Sequence, residues 1–486
     1  MHRRTFVLAV GAITLLAAVI RFATLDRQSF WFDELVTVSL LHRGFLDLLR
    51  EIPQSEATPY VYYVLAWPWT RLFGFGEVGV RSLSALAGTA TVPVAYGAAA
   101  TLVSRRAGLI AAALVAVNPF LVWYSQEARS YSLFAFFAAL TVYFFALALR
   151  GRPRSLTGWA VASSVAFATH YFAAFLIVPE ALWLLARSPE RRRVVAACVL
   201  PVAVAAAHLP LILEQRRTGE EVSTSGFADR VVGIPKDLLV GYSFPGELVG
   251  SAAAAVLVVV GIALVVAAPA HTRRAGVVAG ALAAVYVAVP VALALVGPDY
   301  VIARNMVAAV VPAAAFLGAG YATRRIGVAT AALLCALSLA IALAVTLDAR
   351  YGRTDWRGAA KAVGQPTVAR AIVVTPNIER RFWQPYLKGL RDLPRARAHV
   401  REIVVLGLAT EGGFSSGAVH PPPAVPRGAP PGFRPVATRS TDTFALVRYR
   451  AIGRAAPVSA AALPELRLSS AQPGVFLQDG AGPRRR

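Results

Sequence analysis

Apolar runs close to the roughly 20 residues that a helix needs to cross a bilayer recur all along the first part of this chain. They fall at about 5–24, 80–103, 108–124, 131–149, 155–169, 171–187, 194–213, 247–269, 275–296, 305–321 and 326–347, eleven in all. No single soluble core could absorb that much apolar surface, and the 486 residues are 57% hydrophobic with a mean hydropathy of +0.58. The chain therefore reads as an α-helical multi-pass membrane protein with about 11 transmembrane helices. The stretch 155–187 is nearly twice the length of one span and contains Pro179, so it reads as two short helices meeting at His170-Tyr171.

Charge fixes the orientation. The formal net charge of +23 would point to nucleic acid in a soluble domain. Here much of it sits in short clusters between apolar runs: Arg105-Arg106, Arg150–Arg154, Arg187–Arg193, Arg273-Arg274 and Arg324-Arg325. Such clusters mark the cytoplasmic side. Only Lys236, Lys361 and Lys388 of the 49 basic residues are lysines, a bias of composition, and nucleic acid is not an expected partner. The run Pro59–Phe73 is short, aromatic and broken by Pro68. If it crossed the membrane, every later basic loop would lie outside. If it lies in the interface, all of them face the cytoplasm, and this second reading satisfies the positive-inside rule.

With the N-terminus inside, the outer segments are 25–79, 125–130, the bend at 170–171, 214–246, 297–304 and everything after 347. The basic N-terminus and the apolar run after it read as an uncleaved first helix, since no small-residue cleavage site precedes Arg21. Cys198 and Cys335 lie within apolar runs, so neither a disulfide framework nor a zinc cluster is expected.

Composition changes at Asp348. A helix is expected from Asp355-Trp356-Arg357 to about Val363 and another at Arg380–Leu390, with strands at Ala371–Val374, Glu402–Leu406 and Thr443–Tyr449. That alternation suggests a small α/β domain. The expected organisation is a transmembrane domain over 1–347, an extracytoplasmic α/β domain over 348–451 that includes the proline-rich Pro421–Pro431, and a disordered tail over 452–486.

The chemistry-bearing residues gather in the outer segments. Asp33 and Glu34 follow Phe30, Trp31 and Phe32 at the end of the first span. A partly desolvated carboxylate there has its pKa raised toward the range of a general base, the bland alternative being a helix cap. The short turn within Asn118–Tyr131 carries Glu127 and Arg129, which helix-to-helix turns do not ordinarily require. They are either a surface ion pair or a phosphate-reading arginine beside a carboxylate. His170 and Tyr171 sit at a membrane edge, where a histidine is more often structural. Arg304 stands at the outer start of a helix, against both the positive-inside bias and the helix dipole, which calls for an anionic partner such as phosphate. Glu180 and His208 fall inside apolar spans with no evident partner.

In this order, Phe32-Asp33-Glu34, the tyrosine-rich Pro59–Tyr63, Leu72-Phe73-Gly74, Val80-Arg81-Ser82-Leu83, Asn118-Pro119, Tyr124–Tyr131 and Asp355-Trp356-Arg357 resemble the GT-C superfamily of multi-pass glycosyltransferases that use polyprenyl-phosphate sugars. The nearest type is the glycosyltransferase family 39-like group of protein O-mannosyltransferases and aminoarabinose transferases. The resemblance is good over about residues 20–190 and thin beyond; Glu56-Ala57-Thr58-Pro59 departs from the basic or double-proline stretch frequent in relatives. It implies a plasma-membrane enzyme that moves a sugar, mannose being one candidate, from a polyprenyl-phosphate carrier to a protein, lipid or glycan acceptor outside the cytoplasm, with inversion. Asp33 would be the general base, and Glu34 would support it or bind the acceptor. Glu127, Arg129, Tyr131, His170, Tyr171 and Arg304 would bind substrate, the two arginines neutralising the departing phosphate. Glu127 and His170 are the residues that could hold a divalent metal. The alternative reading is a transporter or flippase of lipid-linked sugars; a scaffold displaying the C-terminal domain would leave Asp33, Glu127 and Arg304 unexplained.

Overall fold

The computed structural model describes residues 3–216, 226–377, 379–393, 398–409, 418–426, 428–459 and 461–480. Met1 and His2, residues 217–225 of the expected outer loop, Arg427 of the proline-rich stretch, and 460 and 481–486 of the expected tail lie outside the described residues. The chain divides into two compact units, one built from Met1–Leu25 and Leu40–Ala344, the other from Asp26–Ser39, Val345–Gly412 and Ser416–Arg486.

In chain order the helices up to residue 347 are α1 Arg3–Phe22, α2 Phe32–Leu41, α3 Phe45–Ser55, α4 Val61–Phe73, α5 Glu77–Leu102, α6 Arg105–Val117, α7 Pro119–Ser125, α8 Tyr131–Leu149, α9 Ser155–Thr169, α10 Ala174–Arg187, α11 Arg191–Ala207, α12 Leu209–Gln215, α13 Phe227–Val240, α14 Glu247–Val266, α15 Ala270–Ala294, α16 Val310–Tyr321 and α17 Arg325–Leu347. Except for most of α2 and the last three residues of α17, they form the first unit. Seven of the described helices are long and apolar enough to cross a bilayer: α1, α5, α8, α14, α15, α16 together with the 3-10 turn Ala303–Ala309 that leads into it, and α17. The bent pairs α6–α7 and α11–α12 make nine if each is one broken span. The expected count of eleven is thus larger than the number of long apolar passes, because α9 and α10 have only 15 and 14 residues. α4, at 13 residues with Pro68 inside it, is also not among them. With 78% of its span window buried, against 11% for α1, α16 is the centre of the bundle and α1 its rim.

The bend of 57° between α6 and α7 has a local cause. Pro119 has no N–H and its ring cannot continue α6, while Asn118 Oδ1 caps α7 by accepting from Leu121 N at 2.8 Å. The break leaves carbonyls at the end of α6 in need of donors. Arg21 of α1 supplies them, donating to Val115 O at 3.2 Å and Ala116 O at 2.8 Å, and through Nε to Ser125 Oγ at 3.1 Å. A buried cation at a helix C-terminus is also where the helix dipole favours one. Gln126 completes the lock, its Nε2 donating to Ile20 O, Arg21 O and Thr24 Oγ1. α5 presses against this knot through Gly88, where a Cβ would lie 2.0 Å from Ser125 Oγ.

The second unit adds α18 Trp356–Val363 and α19 Arg380–Trp383, and strands β1 Arg370–Thr375, β2 Leu390–Asp392, β3 Ala398–Val400, β4 Glu402–Leu408, β5 Phe433–Ser440, β6 Phe444–Ala451, β7 Ala456–Val458 and β8 Gly474–Gln478. Six strands form a mixed sheet in the order β2-β8-β1-β4-β6-β5, with β1 parallel to β4, while β3 and β7 pair separately. β1 and β4 are buried throughout, as continuous apolar runs in the middle of a covered sheet are. Val373, Val405, Val447 and Tyr449 share one core.

Strands appear where 371–374, 402–406 and 443–449 were expected, and Asp355 caps α18 by accepting from Gly358 N at 2.8 Å. The helix expected over 380–390 stops at Trp383, just before Pro385 removes a backbone donor. The edge strand β5 was missed because, exposed after Phe433, it has no buried face to pattern it. The expectation of a disordered tail from 452 is corrected, since β8 inserts antiparallel between β1 and β2 and β7 pairs with β3. Runs of three and five residues are too short for periodicity to reveal.

Candidate active site

In the first unit, the turn between α7 and α8 is the meeting point. The two terminal nitrogens of Arg129 meet Glu56 Oε1 at 2.9 Å and Oε2 at 2.8 Å, and Tyr63 Oη at 3.0 Å. Glu56 closes α3 and Tyr63 lies on α4, so this bidentate contact ties the loop before α4 to the turn. Both partners are buried, as is Tyr63, whose phenol burial holds well above its usual pKa range. Beside the contact, Thr58 Oγ1 and Ser130 Oγ are buried with no hydrogen-bond partner among the described residues, as polar groups facing a ligand site would be. Gln215 of α12 holds the same loop from the other side, donating to Thr58 O at 3.1 Å and Ile52 O at 3.4 Å. Tyr171 is engaged there, its hydroxyl donating to Gln215 Oε1 at 2.7 Å.

The remaining unit 1 residues gather around Tyr131. The ring of Tyr124 lies 4.9 Å from that of Tyr131, His170 lies 5.9 Å away, and the Arg304 guanidinium is 5.7 Å from the Tyr131 ring centre. His170 stacks on Phe134 at 4.8 Å and its Nδ1 accepts from Phe172 N at 3.3 Å. Burial pushes its pKa down to about 3; the charges of Arg304 and Arg129 act in the same direction, against a hydrogen bond with Asn305. The imidazole is therefore neutral. Tyr242, a residue with no signature in the sequence, joins hydroxyls with Tyr124. Burial raises its pKa well above the usual range, Arg304 lowers it and Glu127 raises it, so both charges bear on one phenol.

Two devices bring Tyr242 and Arg304 here. Asn118 Nδ2 donates to Leu238 O at 2.9 Å and Leu239 O at 3.3 Å, anchoring the end of α13 next to the bend. Gly241, at φ +85°, then turns the chain, and the Lys236 ammonium binds Tyr242 O, Asp237 Oδ1 and Glu247 Oε1. Arg230 of α13 pairs with Asp299 and donates to Val301 O at 2.6 Å, which fixes the loop leading to Arg304.

Asp33 and Glu34 belong to the second unit, in the first turn of α2, where the helix dipole favours carboxylates. Glu34 is fully buried and its Oε2 accepts from Trp31 N at 3.3 Å, while Asp33 is half-buried. Ser29 Oγ donates to Thr354 O at 2.9 Å and accepts from Trp356 N at 3.0 Å; Arg353 N donates to Gln28 Oε1 at 3.1 Å; and Arg357 donates to Asp26 O and Arg27 O. The Asp355-Trp356-Arg357 motif thus grips the segment that carries the acids.

Of the residues singled out in sequence, Glu127, Arg129, Tyr131, His170 and Arg304 come together, and Tyr171 serves the Gln215 contact. No group of three or more His, Cys, Asp or Glu side chains among the described residues is placed to hold a metal ion. Glu180 finds its partners within the bundle, accepting from Trp159 Nε1 at 2.8 Å and Thr141 Oγ1 at 3.1 Å. His208 Nδ1 lies 2.8 Å from Val204 O. Glu56, Tyr63, Tyr242 and Gln215 were missed. Glu56 and Tyr63 left a trace, in the departure at Glu56-Ala57-Thr58-Pro59 and in the tyrosine-rich Pro59–Tyr63.

Residues 57–213 match the family model of dolichyl-phosphate-mannose-protein mannosyltransferases. No curated protein matches the chain. Among solved structures it is similar to ArnT from Cupriavidus metallidurans bound to undecaprenyl phosphate, at 15% identity over 80% of this chain and 85% of that one, with a TM-score of 0.50. Against apo ArnT from the same organism the identity is 15% over 65% of this chain and 59% of that one, less than two thirds of its length, with a TM-score of 0.45. The Saccharomyces cerevisiae protein O-mannosyltransferase Pmt1-Pmt2 complex bound to the sugar donor is 20% identical over 45% of this chain and 34% of that one, with a TM-score of 0.35. Only the first of these likenesses is close enough to speak to the fold, which is GT-C-like.

Proposed function

Taking residues 57–213 as a segment of the dolichyl-phosphate-mannose-protein mannosyltransferase family, we propose that this chain is a membrane glycosyltransferase that takes its sugar from a polyprenyl-phosphate carrier. What carries the reading is that the matched segment supplies the buried Glu127, Arg129, Tyr131 and His170, which gather with the half-buried Arg304 in one polar cluster. A neutral histidine, paired phenols and two guanidiniums suit a sugar joined to a phosphate.

In the proposed reaction an acceptor hydroxyl attacks the anomeric carbon from the face opposite the phosphate, giving inversion. Its proton passes to the Asp33 carboxylate. The bond from the anomeric carbon to the phosphate oxygen breaks, and polyprenyl phosphate leaves with the electron pair. Arg304 faces the charge that develops on the phosphate, the electrostatic contribution such a leaving group requires. Arg129, already bound by Glu56, acts with less free charge and orients the donor. Glu34 fixes the backbone at Trp31, and Tyr171 acts through Gln215 on the loop around Thr58. Glu127 and His170 are the side chains that would contribute ligands to a divalent ion, the rest coming from phosphate or water.

Counting the short helices α9 and α10 as passes, together with seven long spans and two bent pairs, gives eleven crossings with the N-terminus inside and the C-terminal domain outside. The acceptor is then met on the extracytoplasmic side of the plasma membrane. Consumption of a labelled polyprenyl-phospho-sugar by the purified protein tests the proposal.

A further inference from the structure

The segment that carries Asp33 and Glu34 lies more than three hundred residues before the C-terminal domain, yet it folds as part of it. The lock acts on the chain's path. Tyr386 Oη accepts from Phe30 N at 2.7 Å, Ser29 is held from both sides by Thr354 and Trp356, and the Phe32 ring meets Phe382 edge-on at 5.0 Å. Phe382 belongs to α19 and is buried beside Trp383, which in turn packs on Trp356 at 4.7 Å. Phe30, itself 2% exposed, has its backbone N–H two residues before α2 begins. A buried N–H must find an acceptor, and here it finds a side chain of the C-terminal domain.

Fixing residues 29, 30 and 32 leaves the first turn of α2 little freedom, and Asp33 is in that turn. The angle at which its carboxylate is presented is thereby set by a domain remote in sequence. We infer that Tyr386 and Phe382 are positioning residues for Asp33, which makes the C-terminal domain a working part of the transfer machinery. This rests on the reading of Asp33 as the base.

The test uses full-length protein in nanodiscs, with Tyr386→Phe and Phe382→Leu as variants and hydrogen exchange and steady-state kinetics as readouts. Loss of the Tyr386 hydroxyl removes the acceptor for Phe30 N while keeping the ring. Exchange at amides 30–37 is expected to accelerate, and kcat to fall about 10- to 100-fold, the scale of a small misplacement of a reacting group, with KM for the donor unchanged. Phe382→Leu is expected to act in the same direction, and Tyr386→Phe placed on Asp33→Asn to add no further loss. An active Tyr386→Phe enzyme with wild-type exchange, or with wild-type kcat despite faster exchange, overturns the inference. A wild-type chain that consumes no donor removes the transferase reading and this inference with it, a different outcome from either.

Discussion

Arg129 and Glu56 meet with two nitrogens on two oxygens, at 2.9 and 2.8 Å, and both side chains are shut away from water. Removing one partner of such a pair strands the other as a buried charge. Glu56→Ala is therefore expected to lose about 3–5 kcal/mol of stability, visible as a lowered unfolding temperature in detergent. Glu56→Leu combined with Arg129→Met should recover most of that loss without recovering transfer. A Glu56→Ala protein as stable as wild type would mean that the contact is not the buried pair described.

Asn118 makes two separable contributions. Its oxygen caps α7 and its amide nitrogen holds the end of α13. Asn118→Ala should cost about 0.5–2 kcal/mol for the cap alone, and more for the lost tether. Asn118→Asp keeps the acceptor and loses the donor, so its unfolding temperature should fall between those of Asn118→Ala and wild type. Equal losses in both variants would assign the whole effect to the tether.

His170 has a folded-state pKa pushed down to about 3, below the ordinary value of about 6.5. The unfolded chain therefore takes up this proton first as pH falls. Stability linked to His170 is fully present above pH ~6.5 and is lost as pH drops toward the folded-state value. Replacing His170 with Gln should flatten the fall in unfolding temperature between about pH 6.5 and 4. An unaltered slope would contradict a neutral, buried imidazole.

The proposed topology is checked at two exposed sites, Pro298 and Arg152. In a background with Cys198 and Cys335 changed to Ser, a membrane-impermeant maleimide added to intact cells should label Pro298→Cys and not Arg152→Cys. The opposite pattern would invert the assignment of the loops.

How much of this was legible in sequence depended on whether the signal was local. Apolar runs disclosed the spans because a helix in lipid must satisfy its own backbone within one segment. The bend at Asn118 and Pro119 was passed over, because the apolar run 108–124 continues through it. Glu127, Arg129, His170 and Arg304 stood out because charge at a membrane edge is anomalous wherever it occurs. The choice of Glu56 as partner for Arg129 was hidden, since 73 residues separate them and a nearer acid, Glu127, offered itself. Tyr242 was hidden too, being one tyrosine in a loop whose placement depends on Asn118 and Lys236. The grip of residues 353–357 on 26–29 and the insertion of β8 beside β1 are long-range pairings that periodicity cannot carry.

The most direct measurement is turnover of a panel of radiolabelled polyprenyl-phospho-sugars by purified wild-type protein and Asp33→Asn, with unfolding temperature recorded for both. The account predicts that wild type consumes at least one donor and releases polyprenyl phosphate. Asp33→Asn, equally stable, should be slower by about 10²–10⁴-fold, the usual contribution of a general base. Consumption of no donor by wild type, or wild-type turnover by Asp33→Asn, would contradict it.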